Sequence, residues 1–147
     1  MKNRKRGFSL VELLIVLAVI AALIATITPV ALNAIRKSQA TKVAQNMKTL
    51  ASSFENAVYV NNSVPSFTQL GRGIDSTKYA IYYTETNGTY KVAVVTSEEA
   101  DSGALTSVVA DIQIGEFDHS TQGYKAMDGI GTIGTIQSYY TFTFDKY

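Results

Sequence analysis

The sequence contains no cysteine. Disulfides, thiolate nucleophiles and Cys-held metals are therefore excluded, and stability has to come from packing, within the chain or against other copies. Histidine occurs once, at His119, which leaves no His pair for a metal and no His-based triad. Beside Asp118, it reads as a solvent-exposed loop residue. No EF-hand spacing is present; the acids Glu98, Glu99, Asp101, Asp111, Glu116, Asp118 and Asp128 read as a solvated face spread over loops.

Charge is scarce where apolar residues are dense. Residues 1–7 carry Lys2, Arg4, Lys5 and Arg6 and no acid. From Phe8 to about Leu32 the chain is almost wholly apolar, with Glu12 as its one acid. From Asn61 to Tyr147 there are five Lys and Arg against ten Asp and Glu. Without residues 1–7 the chain would be mildly acidic, which gives no electrostatic footing for a nucleic-acid partner. The cations Arg36, Lys37, Lys42 and Lys48 are read as meeting acidic heads of neighbouring copies rather than nucleic acid.

The basic start and apolar run suggest a secretory signal peptide, but three features oppose that reading. No small-x-small cleavage site closes the run at a sensible distance. Leu13 to Leu32 is twenty residues, roughly 30 Å as helix, the thickness of a bilayer core. A carboxylate, Glu12, sits just inside its leading edge. The run reads as a membrane span that stays with the protein, its cationic end on the cytoplasmic side.

Lys5-Arg6-Gly7-Phe8-Ser9-Leu10-Val11-Glu12-Leu13-Leu14 resembles the class III signal motif of type IV prepilins and pseudopilins. The resemblance implies cleavage between Gly7 and Phe8 by an inner-membrane prepilin peptidase, then N-methylation of Phe8. It also makes Glu12 the family's assembly glutamate, and Pro29 falls where many members carry a proline. It covers residues 5–35, and beyond them only architecture carries over. Electrostatics reach the same place for Glu12. An ionised acid in a membrane costs several kcal/mol, on the order of 3 by insertion scales. The span offers no cation, so the freed amine of Phe8 is its natural partner, within one helix or between neighbours. Pro29 takes a hydrogen bond from the Ala25 carbonyl, after the β-branched run Thr26-Ile27-Thr28. The residues permit a tolerated kink, with threonine hydroxyls satisfying freed carbonyls, or a weak point that unwinds on assembly. The resemblance favours the second.

Past Pro29 the pattern turns amphipathic. Ala40, Val43, Ala44, Met47, Leu50, Ala51, Phe54, Ala57 and Val58 make one apolar stripe. The helix is expected to run from Phe8 to about Tyr59 or Val60, where Asn61-Asn62 and Val64-Pro65 stop it. Tyr79 to Glu85 and Thr89 to Thr96 read as strands joined at Thr86-Asn87-Gly88, a strong hairpin signal. Tyr139 to Phe144 reads as a terminal strand with Tyr140, Phe142 and Phe144 on one face. Ala104 to Ile112 reads as a short helix in preference to a strand. The expected class is α+β: a long N-terminal helix, its first half transmembrane, packed by its second half on a small antiparallel sheet, the pilin fold. The expected parts are a removed leader (1–7), a transmembrane or filament-core half-helix (8–32), an amphipathic half-helix (33–60) and a globular head (61–147).

Gly129-Ile-Gly131-Thr-Ile-Gly134 spells G-x-G-x-x-G, but a dinucleotide loop needs a strand before it and a helix after it. A flexible surface turn is expected instead. Asn61-Asn62-Ser63 and Asn87-Gly88-Thr89 are glycosylation sequons in spelling only. The chain is not expected to be an enzyme, and no cofactor is expected; Ca²⁺, bound as in the major pseudopilins of type II secretion, is the minor alternative. By resemblance, the expected partners are further copies of the chain, prepilin peptidase, inner-membrane assembly machinery and, before assembly, lipid. The expected role is a structural subunit of a type IV pilus, and the alternative is a pseudopilin of a secretion or competence system.

Overall fold

The computed structural model describes residues 7–147; the cationic cluster Lys2, Arg4, Lys5 and Arg6 lies outside the described residues. Its eight elements run α1 (Leu10–Asn61), α2 (Phe67–Leu70), β1 (Tyr79–Thr86), β2 (Thr89–Thr96), α3 (Ser102–Val108), β3 (Ile112–Ile114), β4 (Lys125–Ala126) and β5 (Ser138–Asp145). The chain divides into two compact units between Ile35 and Arg36.

Among its described residues the first unit holds one element, the start of α1. Its side chains are exposed throughout, and a window of this helix with mean hydropathy 2.9 is 0% buried. Pro29 sits inside α1. The Thr26 hydroxyl donates to the Leu23 carbonyl (2.9 Å) and the Thr28 hydroxyl to the Ile24 carbonyl (2.8 Å). These bonds reach the carbonyls three and four residues back, a usual helical geometry for threonine. They do not reach Ala25, the carbonyl the proline leaves without its donor, so the threonines do not compensate it as the sequence suggested.

The second unit is an α+β head. Every residue of the apolar stripe except the half-buried Ala57 is buried against a five-stranded antiparallel sheet of order β3-β5-β2-β1-β4. The helix ends where Asn62 takes a left-handed φ of 56° while its N–H still donates to the Val58 carbonyl (3.0 Å), an asparagine in the place glycine often holds. Asn87 (φ 53°) and Gly88 (φ 86°) make a two-residue hairpin turn with both central residues left-handed. Thr86 belongs to the strand and faces Thr89, so the connection is one residue tighter than the sequence suggested. Ala104 to Ile112 resolves as both structures, since α3 carries it to Val108 and Ile112 opens β3.

Alternation along the strands separates two cores. On the α1 side, Tyr79, Ile81, Tyr83, Tyr90, Val92, Val94, Tyr140, Phe142 and Phe144 meet the stripe. Phe54, fully buried, lies at its centre with ring centroids 5.8 Å from Tyr83, 6.4 Å from Tyr90 and 6.2 Å from Phe144. On the opposite side Ala80, Tyr82, Ala93 and Val95 are covered by Phe117, Tyr124, Ile133 and Ile136 from the segment between β3 and β5. That segment has little regular structure, yet its backbone is pinned. Met127 N–H donates to Ile81 (3.0 Å), Gly131 N–H to Ser76 (2.9 Å) and Gln137 N–H to Thr96 (2.8 Å). A Cβ on Gly131 would stand 3.0 Å from Thr77 Cγ2 and 3.2 Å from the Ser76 carbonyl. Gly131 is thus docked at β1's entrance, while Gly129 and Gly134 are exposed as in the surface turn expected, and no helix follows the run.

Phe54→Ala removes the ring that joins the helix to three sheet aromatics. It should lower the unfolding free energy of the detergent-solubilised chain by about 3–5 kcal/mol, read from urea unfolding by tyrosine near-UV dichroism. A loss below about 1 kcal/mol would show that the aromatic cluster does not organise this core.

Candidate processing and assembly site

Gly7, Phe8 and Ser9 precede α1 and are not helical, and the Phe8 side chain is 90% exposed. The helix was expected to begin at Phe8, and it begins two residues later because Ser9 caps it. The Ser9 hydroxyl accepts from the Glu12 N–H (3.2 Å), and the Glu12 carboxylate reaches back to accept from the Ser9 N–H (2.9 Å). The Ser9 carbonyl meanwhile accepts the first helical bond, from Leu13 N–H (3.1 Å). This is a reciprocal capping box, Ser-x-x-Glu, satisfying two amides that a helix start leaves unpaired. A carboxylate in the first turn is also favoured by the positive end of the helix dipole.

Glu12 therefore does local work before any partner is considered. In the continuous chain Phe8 is peptide-bonded to Gly7 and has no free amine, and the carboxylate is satisfied by its own helix. The signal was present in the sequence as Ser9-Leu10-Val11-Glu12 ahead of an apolar run, the spelling of a helix start. Beyond this turn, the described part of the unit presents a shell of exposed Leu, Ile, Val and Ala with no further acid or base up to Ile35.

The head holds no comparable chemistry. Among the described residues no three His, Asp or Glu side chains gather as a metal-binding group, and three of the head's acids have separate local tasks. Glu98 pairs with Lys78 (2.7 Å). Asp101 caps α3 by accepting from Ala104 N–H (2.8 Å). Asp118 accepts from the hydroxyls and amides of Thr121 and Ser120, which hold its carboxyl well below the usual carboxylate range. His119 is not the exposed loop residue expected. It is half-buried and stacked on Tyr82 at 4.5 Å and 22°, because the buried Phe117 draws its loop onto the outer face of the sheet.

Residues 2–28 match the family described as the prokaryotic N-terminal methylation motif. Fimbrial protein Q of Moraxella bovis is 30% identical over 105 residues, 71% of this chain and 64% of that protein. The motif and this fimbrial relative together support a type IV pilin. The chain spans just under two thirds of that fimbrial protein's length, and no solved structure matches it. The methylation motif, the capped apolar helix and the α+β head place the pilin features in one chain: the motif ends within the first unit, one residue short of Pro29.

Ser9→Ala should speed amide hydrogen exchange at Glu12 and Leu13 by about fivefold, from the ~1 kcal/mol an N-cap contributes. Ser9→Thr, which keeps the hydroxyl, should restore protection. Equal exchange in all three chains, measured in micelles, would remove the capping box as the reason α1 starts at Leu10.

Proposed function

We propose that this chain is a structural subunit of a type IV pilus, cut between Gly7 and Phe8 by prepilin peptidase, methylated on Phe8 and assembled through the apolar half of α1. The observation that carries the proposal is that the first half of α1, which bears the methylation motif, is almost wholly apolar, exposed throughout and marked by one carboxylate in its first turn. Such a surface is stable only in lipid or among other copies. The fimbrial name of the Moraxella relative favours a surface fibre over a secretion pseudopilus.

Before assembly the precursor sits in the cytoplasmic membrane with the leader inside and the head outside, following the positive-inside rule. Cleavage frees the Phe8 amine. In the filament this amine of one subunit takes Glu12 of the next, fixing the axial register, because any other stagger strands two charges in apolar surroundings. Pro29 marks where α1 extends as subunits leave the membrane. Adhesion, twitching motility or DNA uptake would follow from the filament, with no nucleic acid bound directly by the subunit and no catalysis by it.

Intact mass of the chain in sheared surface filaments tests this. A chain starting at N-methyl-Phe8 in long fibres is expected; the same chain confined to the envelope would assign a pseudopilin, and an uncut Met1 would end the reading. Glu12→Ala should leave cleavage intact and lower filament yield by at least about tenfold. Glu12→Gln separates the two tasks of the residue, since it can still accept from Ser9 N–H but carries no charge. Normal filaments from Glu12→Gln would assign Glu12 to capping rather than to inter-subunit pairing.

A further inference from the structure

Arg36 and Lys37 open the second unit directly after the exposed apolar segment, and Lys42 follows. All three are exposed, and among the described residues the single ion pair, Lys78–Glu98, involves none of them. No Asp or Glu occurs between Glu12 and Glu55, so this stretch of α1 carries no compensating charge of its own.

Their directions decide what they fit. At about 100° per residue, Arg36, Lys37 and Lys42 leave the helix axis roughly 100°, 140° and 120° apart, one cation in each third of the circumference. They lie within ~9 Å of one another along the axis. Arg36 stands one turn before Ala40, in line with the stripe that the sheet covers from Ala40 onward. The four cations of the helix therefore do not share a face. In the precursor, before copies pack around the helix, a single protein neighbour would approach from one side and meet one or two of the three. A layer of headgroups surrounds the helix and meets them all. Lys48 repeats the direction of Lys37 but lies about 16 Å farther along, some two Debye lengths at physiological salt.

We propose that Arg36, Lys37 and Lys42 form a collar that binds the phosphate headgroups of anionic lipids, on the side of the bilayer that the head occupies. This rests on the membrane reading above. Long cationic side chains next to a span keep their stems along apolar surface and set their charge among headgroups. Each cation near an anionic surface favours it by about fivefold.

The test reconstitutes the full chain in phosphatidylcholine nanodiscs with a minor fraction of spin-labelled phosphatidylglycerol or phosphatidylcholine, and reads boundary-lipid selectivity by electron paramagnetic resonance. The leader's cations are common to every variant, so ratios between variants report on the collar. The variant Arg36→Gln, Lys37→Gln, Lys42→Gln should lose at least about fivefold of the preference for phosphatidylglycerol, single substitutions should lose graded fractions, and Lys48→Gln should lose none. Raising the salt to about 0.5 M should shrink the difference between wild type and variant. Equal selectivity in the triple variant overturns the collar, as does a loss in Lys48→Gln matching that of Lys37→Gln, which would report net charge alone. Unchanged lipid selectivity together with weakened self-association assigns these cations to a neighbouring copy and also overturns it. A chain that fails to enter the discs is a separate outcome, seen before selectivity is measured, and it sinks the membrane reading itself.

Discussion

Among the described residues nothing covers the apolar half of α1, and the other features of the N-terminal unit answer to that constraint. Leu, Ile and Val side chains around the full circumference of the helix are exposed, in contrast to the one-sided stripe that begins at Ala40. A helix apolar all round is a buried helix, so its burial must come from lipid or from copies. In either setting backbone amides without partners are costly. The Ser9–Glu12 capping box satisfies two amides at the end where a helix most lacks partners, and it gives the one acid of the segment a partner within its own chain.

That local satisfaction changes how the proposed inter-subunit pair has to be understood. A freed Phe8 amine approaching Glu12 meets a carboxylate already accepting one N–H. A carboxylate has about four lone-pair sites, and a charge-assisted bond is roughly twice as strong as a neutral one. The amine can therefore add to the cap without displacing it, so helix start and subunit register are compatible uses of one side chain. The head needs none of this. Its sheet is buried on both sides, by the α1 stripe and by the pinned segment between β3 and β5, which explains how it holds together without a disulfide.

Much of this was legible in the sequence, for definite reasons. The stripe from Ala40 to Val58 repeats at helical spacing, and Asn87-Gly88 demands the left-handed turn it adopts. The alternation of Tyr140, Phe142 and Phe144 puts all three on the α1 face. The second core was not legible, because Phe117, Tyr124, Ile133 and Ile136 follow no period, and their segment is pinned by hydrogen bonds from Met127, Gly131 and Gln137 to Ile81, Ser76 and Thr96, far back in the chain. Strands of three and two residues, β3 and β4, carry too few side chains for any alternation to show. At the site, Gly7, Phe8 and Glu12 stood out through the motif. The cap role of Ser9 is hidden there, because Ser9-Leu10-Val11-Glu12 is also part of that motif.

The leader and the collar together explain why cleavage would have to precede assembly. Lys2, Arg4, Lys5 and Arg6 stand before the span, packed into seven residues, and Arg36, Lys37, Lys42 and Lys48 after it, spread over thirteen, so the uncut chain carries cations at both ends and most densely in the leader. If the subunit is drawn from the bilayer on the head's side, the collar moves away from its headgroups without crossing the apolar core. The leader would have to cross it, at about 2.5–3.5 kcal/mol for each Lys or Arg at the centre, on the order of 10 kcal/mol for four. Cutting after Gly7 removes that barrier and leaves only the Phe8 amine and Glu12 to be carried through, two opposite charges close enough in sequence to neutralise each other. On the proposed processing, the same cut would create the amine that pairs with Glu12 and remove the charges that hold the helix in place.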